Sequence, residues 1–447
     1  MSILTKKSIL VTGGTGSIGT ALVEKAITDN AKLIRIFSND ENGLYEMESK
    51  YGNYKNIEYV IGNIQNSEIV SEIVKGIDIV FHAAALKHVD RCELNPLETI
   101  NVNIMGTKNI TKSAKKEKIQ RMIFISTDKA VNPIGVMGAT KLLGEKLLAA
   151  EALDKSNTIF ASVRFGNVFH TRGSILPRIE KQISNGGPIT LTNPEMKRFF
   201  MTKDDAINLI ISAATVAKGG ETFVLKMPLI RLDELFEAMK DLLSSKYNYT
   251  PSQIKTKIIG TRPGEKLIEY LLTEFEIENV FETKDFFIIP PLNMSIKSYP
   301  NAKKLKNPKS YFKEIKTISK NEIIKLKKNL IADYNLNNLR TGLEIKFTID
   351  KSNNKKITTF IFPVSRTEKI LLTRNLETNL FEKKKIITNL IRKIIFKEGK
   401  ILQSLYKTAI DLKVQPNIII EFARIYGFQV DFQRDIRKNK VLHILMI

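Results

Sequence analysis

Thr127, Asp128 and Lys129 place a hydroxyl, a carboxyl and an amine on three consecutive residues, directly after the apolar run 121–126. Lys141 follows in Met137-Gly138-Ala139-Thr140-Lys141. These are residue types that take up, hold and release protons. Adjacent acid and base are ordinarily surface charges; they become reactive when burial raises the pKa of the carboxyl and neighbours lower that of the amine. Met137 stands among them with a thioether, which cannot move a proton. A second chemical signal lies near the N-terminus, where Ile9-Leu10-Val11-Thr12 runs into Gly13-Gly14-Thr15-Gly16-Ser17-Ile18-Gly19 and then into the helical stretch 20–27. Strand, glycine turn and helix in that order cradle a dinucleotide: one glycine permits the tight turn, another lets backbone approach a pyrophosphate, and a third lets helix pack on strand. The helix N-terminus then turns unpaired N–H groups and a positive dipole toward the phosphates.

The elements that must position these groups are legible as alternating apolar and amphipathic stretches. Residues 8–12, 33–37, 57–61, 77–82, 121–126 and 159–165 read as buried strands with helices between them, the pattern of βαβ units. The fold class is therefore α/β, a Rossmann-like doubly wound parallel sheet with helices on both faces. Reacting groups in such a sheet collect at the C-terminal ends of the strands, which is where 127–129 fall. After residue 170 the pattern turns irregular, with breaks at Gly186-Gly187-Pro188, Gly219-Gly220 and Pro263-Gly264. We expect a Rossmann domain over 1–170, a smaller substrate-binding lobe over 171–330 that can interleave with it, and an α+β tail module over 331–447.

The glycine spacing 13, 16, 19 resembles the short-chain dehydrogenase/reductase superfamily. On that reading Gly13, Thr15, Gly16, Ser17, Ile18 and Gly19 hold a nicotinamide dinucleotide. Ser38 and Asp40 at the end of the second strand face its ribose. Asn63 and Ile64 lie by the adenine, and Ala83 and Ala84 leave room at the end of the fourth strand. A carboxylate at the second strand favours NAD. Asp40 comes one or two positions late, whereas Ser38 leaves space for a 2′-phosphate without the usual arginine, so NAD and NADP both stay open. In the superfamily a Ser or Thr, a Tyr and a Lys handle protons; Thr127 and Lys141 match, and Met137 occupies the tyrosine position.

Thr127-Asp128-Lys129-Ala130-Val131-Asn132-Pro133 with Met137-Gly138-Ala139-Thr140-Lys141 is similar to the nucleotide-sugar 4,6-dehydratases of the extended branch, which include members with Met at this place. So are the blocks at 82–89, 92–96, 103–107, 164–168, 172–174, 198–202 and 262–266. The resemblance covers about residues 5–325. It implies a UDP-N-acetylglucosamine 4,6-dehydratase, a hydro-lyase for polysaccharide or glycan biosynthesis, whose tightly bound NAD or NADP is regenerated each turnover. Hydride leaves C4, water is eliminated across C5 and C6, and the hydride returns at C6. Lys129 is the expected base, its pKa lowered by neighbours, and Asp128 the expected acid. Thr127 relays the 4-hydroxyl proton and Lys141 holds the ribose. Lys87, Asn167, Arg198, Arg262 and Glu265 are the candidates for substrate contacts, since arginine forks suit a diphosphate. The Met branch leans toward retention at C5, and, with the glycine loop beginning within the first dozen residues, the N-terminal membrane portion that many of its members carry is not expected here. The alternatives are a 4-epimerase or reductase of the same fold, and an inactive nucleotide-binding protein.

Composition narrows the partners. The formal charge is +23, but residues 301–447 hold 32 of the 70 Lys and Arg and only 13 of the 47 Asp and Glu. The basicity belongs to the tail, interspersed with Ile and Leu and without a nucleic-acid motif, so no nucleic acid is expected. No run approaches the ~20 apolar residues of a membrane span. With no signal peptide apparent, a cytoplasmic protein, assembling as a homo-oligomer, is expected. One cysteine, Cys92, makes no disulfide framework, and His82, His88, His170 and His443 lack metal-ligand spacing, so no metal is expected. In the tail, 342–350, 358–363 and 402–436 resemble the non-catalytic region preceding lysostaphin-type zinc endopeptidase domains, without zinc ligands. The tail is read either as a fused binding module or as a second gene joined in frame, with 441–447 an apolar stub.

Overall fold

The structure, a computed structural model, describes residues 2–153, 157–291, 299, 301–305, 311 and 316–325, together with 346–350, 356–363, 368–374, 381–387, 395–401, 404–414, 418 and 441–446. The chain divides into two compact units, Met1–Asp333 and Tyr334–Ile447.

In the first unit the apolar runs form parallel strands β1 (Ser8–Thr12), β2 (Leu33–Ser38), β3 (Ile57–Ile61), β4 (Ile79–His82), β5 (Arg121–Thr127) and β6 (Ile159–Phe165). They pair in the order β3-β2-β1-β4-β5-β6. Alternation along each strand feeds two cores. Ile9, Val11, Ile79, Phe81, Ile123 and Ile125 pack on one face with the helices Ser17–Thr28 and Lys203–Val216. Leu10, Val80, Met122 and Phe124 pack on the other with Ser67–Val74, Gly106–Lys116 and Val136–Leu153. This α/β sheet is the expected class, and its order reverses between β1 and β4, the switch point where such folds bind ligands.

The second half of the unit is interleaved with the first. Thr222–Leu225 pairs parallel with β6, and Phe286–Ile289 closes antiparallel on Thr222–Leu225. A smaller layer lies beyond the strand ends: Lys197–Met201 sits between Asn167–Val168 and Leu229–Arg231, and its core joins helices Ile175–Ser184 and Leu232–Leu243 through Ile179, Ile183, Leu235 and Met239.

The second unit contains an antiparallel meander, Lys346–Asp350, Lys356–Pro363, Glu368–Arg374 and Phe381–Ile387. It also has the helix Leu405–Asp411. The closing run forms the strand Val441–Met446, paired antiparallel with Ile395–Lys400. Most of the stretch 402–436 that carries the tail resemblance lies outside the described residues.

Candidate active site

A cleft of about 770 Å³ opens at the C-terminal ends of the strands. Gly13 begins it. Its φ of +66° suits glycine, and a Cβ there would stand 2.7 Å from the Ala84 nitrogen. The turn therefore nests against the chain after β4, where the Ala83 N–H donates to the Thr12 carbonyl at 3.1 Å. Gly16, the N-cap of helix Ser17–Thr28, differs: a Cβ there would meet only the Gly13 carbonyl, at 3.2 Å. Room at that spot is what a pyrophosphate on a helix N-terminus requires, so the loop fits a dinucleotide.

Ser38 hydrogen-bonds Thr15 through their hydroxyls at 2.8 Å. The Asp40 carboxylate caps the next helix, accepting from the Gly43 N–H at 3.0 Å. Arg172 approaches the turn after β2: its NH1 lies 3.6 Å from Asp40 Oδ2, and its backbone N–H donates to Ser17 Oγ at 3.0 Å. Lys87 Nζ donates to the Arg172 carbonyl at 2.8 Å. Nothing in the local pattern after β2 announces a partner so distant in sequence. Asn63 Oδ1 accepts from the Gln65 N–H at 3.0 Å, and Ile64 is buried beside it.

At the end of β5 the chain enters a short turn, Asp128–Ala130, capped by Thr127, whose Oγ1 accepts from the Lys129 N–H at 3.3 Å. Asp128 is fully buried. Its Oδ1 accepts from Thr127 Oγ1 and from Lys129 Nζ, both at 3.0 Å, while Oδ2 has no partner among the described residues. Burial is the largest influence on this carboxyl and raises its pKa, Glu269 adds to the rise, and Lys129 opposes it. That is the direction a general acid needs.

Lys129 departs from expectation. Burial works to lower its pKa, but Asp128 and Glu269 together outweigh burial and the net shift is upward. Its neighbours raise the pKa where a lowered one was expected, because two carboxylates surround the amine. Lys141 shows the opposite balance: burial brings it down to about 8. Its Nζ donates to the Ile125 carbonyl at 2.7 Å and lies 4.6 Å from the centre of the Phe124 ring. Met137 is buried and is one of the residues that line the cleft.

The helix carrying Met137 and Lys141 is held by two networks. Asn103, in a π-helical turn, exchanges hydrogen bonds with the Leu86 backbone at 2.8 and 3.0 Å and donates to Thr140 Oγ1 at 3.0 Å. The Glu93 carboxylate accepts from the Val136 N–H at 2.6 Å.

Of the substrate candidates, Lys87, Asn167, Arg198, Arg262 and Glu265 all line the cleft. Arg198 is buried with its fork occupied. It donates to the carbonyls of Lys197, Leu267 and Lys266 at 2.9, 3.2 and 2.8 Å. In this arrangement it braces the 266–269 segment and does not present a free fork to a diphosphate. Arg262 and Glu265 share a turn, with the Glu265 N–H donating to the Arg262 carbonyl at 3.2 Å. Sequence reading missed Glu269, which is buried, lines the cleft, and lies 3.5 Å from Lys129 Nζ. Its signal was a lone acid in the apolar stretch Leu267-Ile268-Glu269-Tyr270-Leu271-Leu272, where a charge needs a partner.

The model of the family described as polysaccharide biosynthesis protein matches residues 9–291, from β1 through the strand Phe286–Ile289. The chain belongs to that family. An uncharacterized membrane protein of Methanocaldococcus jannaschii, MJ1061, is similar at 45% identity over 326 residues, 72% of this chain and 96% of that one. A UDP-glucose 4-epimerase of Rickettsia canadensis is 39% identical over 64% of this chain and 83% of its own. The X-ray structure of Pen from Bacillus thuringiensis superposes with a TM-score of 0.67 at 39% identity, covering 74% of this chain and all of that one. Among the described residues, no helix is long and apolar enough to cross a membrane.

Proposed function

We propose that the first unit is a nucleotide-sugar 4,6-dehydratase acting on UDP-N-acetylglucosamine with NAD or NADP. The observation that carries this reading is the buried Asp128 carboxyl, hydrogen-bonded to both Thr127 and Lys129 beside a cleft whose wall presents Met137. An acid of raised pKa next to an amine serves elimination, in which one group removes a proton and another protonates the leaving hydroxyl.

The glycine loop, Ser38, Asp40, Asn63, Ile64, Ala83, Ala84 and Lys141 would hold the dinucleotide, which when bound accepts a hydride from sugar C4 and returns it at C6. The 4-hydroxyl proton leaves through Thr127 Oγ1 to solvent, because Asp128 holds only one proton and receives that of Lys129; solvent returns a proton to the pair once Lys129 has reprotonated C5. The 4-keto group acidifies H5, and Lys129 removes it. Its raised pKa leaves Lys129 protonated at rest, so it first passes a proton to Asp128 along their 3.0 Å hydrogen bond. The ion pair and its neutral form contain the same atoms, and substrate that expels water from the cleft favours the neutral form. Asp128 then protonates the departing 6-hydroxyl. Lys87, Asn167, Arg262 and Glu265 are the proposed contacts to diphosphate, uridine or sugar.

Similarity to the Rickettsia canadensis UDP-glucose 4-epimerase supports a second reading, 4-epimerisation, which needs proton transfer at the 4-hydroxyl alone. NMR of the product formed from UDP-N-acetylglucosamine separates them. A C6 methyl beside a C4 ketone supports the dehydratase; an intact 6-hydroxymethyl with inverted C4 overturns it.

A further inference from the structure

Lys129 is held by two carboxylates that lie far apart in the chain. Asp128 is its neighbour, whereas Glu269 arrives from the segment after Gly264, with Oε1 3.5 Å from Lys129 Nζ. The Glu269 backbone N–H donates to the Lys197 carbonyl at 3.4 Å, which ties it to the strand Lys197–Met201. Lys266 Nζ lies 3.5 Å from Glu269 Oε2 and is anchored on the Val131 carbonyl, in the turn that follows Lys129. Glu269 Oε2 is buried and makes no hydrogen bond among the described residues. Lys129, Met137, Lys266 and Glu269 also line a recess of about 10 Å³, close to the space one water needs. A buried acid that served only to fill space is replaceable by an apolar side chain; one set between two lysines at the wall of the cleft has an electrostatic task.

We propose that Glu269 is a positioning residue of the elimination, a second carboxylate that holds the Lys129 amine beside Asp128 and sets the charge it carries before substrate arrives. The proposal rests on the dehydratase reading. The charged groups that face Lys129 are Asp128 and Glu269, which favour its ammonium form, and Arg198, which disfavours it. Lys266 lies beyond Glu269. With Glu269 neutralised, burial is opposed by Asp128 alone, so Lys129 releases its proton at lower pH.

The test compares the full-length wild type with Glu269→Gln and Glu269→Asp. Readouts are kcat and KM on UDP-N-acetylglucosamine across pH, and the titration of the Lys129 side chain by NMR of lysine-labelled protein. In Glu269→Gln the acid limb of kcat and the Lys129 titration both move down by about one pH unit, with KM little changed. Glu269→Asp keeps the charge and the wild-type limb while lowering kcat. If Glu269→Gln does not fold, Lys266→Gln decides with the opposite sign, since loss of the cation beyond Glu269 moves the Lys129 titration upward. A Glu269→Gln profile and titration superimposable on wild type, or a change in KM alone, overturns the proposal. Absence of product from wild type defeats the dehydratase reading instead, and the NMR titration then still decides whether Glu269 sets the Lys129 charge.

Discussion

Arg164 and Glu145 meet as a two-pronged pair with almost no exposure to solvent, Nε to Oε1 at 2.9 Å and NH2 to Oε2 at 2.7 Å. Glu276 takes the other side of the guanidinium at 2.7 and 2.9 Å, and Ser126 Oγ donates to Glu145 Oε1 at 2.5 Å. The pair joins β6 to the helix Val136–Leu153, so it fixes the element that carries Met137 and Lys141. Removing the arginine strands two acids in the interior. Arg164→Met is expected to cost about 3–5 kcal/mol, read as the change in urea-unfolding free energy; a loss under about 1 kcal/mol contradicts that assignment.

Asp128→Asn keeps the shape of the turn but cannot give a proton. Turnover to the 4-keto-6-deoxy product is expected to fall about 10²–10⁴-fold while dinucleotide affinity stays at the wild-type value in a binding titration. Retained turnover removes Asp128 from the elimination.

The two glycines of the cofactor loop should separate folding from binding. Gly13→Ala places a Cβ 2.7 Å from the Ala84 nitrogen at a φ of +66°, so thermal stability and dinucleotide binding both drop. Gly16→Ala meets little protein, so its stability loss stays within about 1–2 kcal/mol while nicotinamide affinity, measured by fluorescence, is lost. Equal effects of the two substitutions on stability count against the cradle.

Lys141 is brought down to about 8 by burial, below its value in an unfolded chain. Between those two pKa values the unfolded state binds more protons than the folded one, so stability rises with pH over that window and is insensitive to Lys141 below it. The slope is about 1.4 kcal/mol per pH unit where the difference is complete. Lys141→Met removes that contribution. Parallel urea-unfolding curves for wild type and variant from neutral to alkaline pH test it, and identical slopes reject a depressed Lys141.

The parallel sheet was legible because its strands are short β-branched runs buried on both faces, as β1 and β5 show. The glycine loop was legible because its spacing serves a backbone geometry. Charge states were not. Lys129 looks like a base when read beside Asp128 alone, and only the fold adds Glu269, a carboxylate from an aperiodic segment. Arg198 has the residue type of a diphosphate ligand, yet its donors meet the carbonyls of Lys266 and Leu267, contacts that no spacing encodes. The partner of Asp40 was likewise hidden, because Arg172 reaches it from a loop after β6.

The central claim, elimination of water across C5 and C6, is tested most directly by incubating the protein with UDP-N-acetylglucosamine in heavy water and weighing the product by mass spectrometry. Loss of one water with one deuterium taken up at C5 is expected. A product of the same mass as the substrate, or loss of water without deuterium at C5, contradicts it.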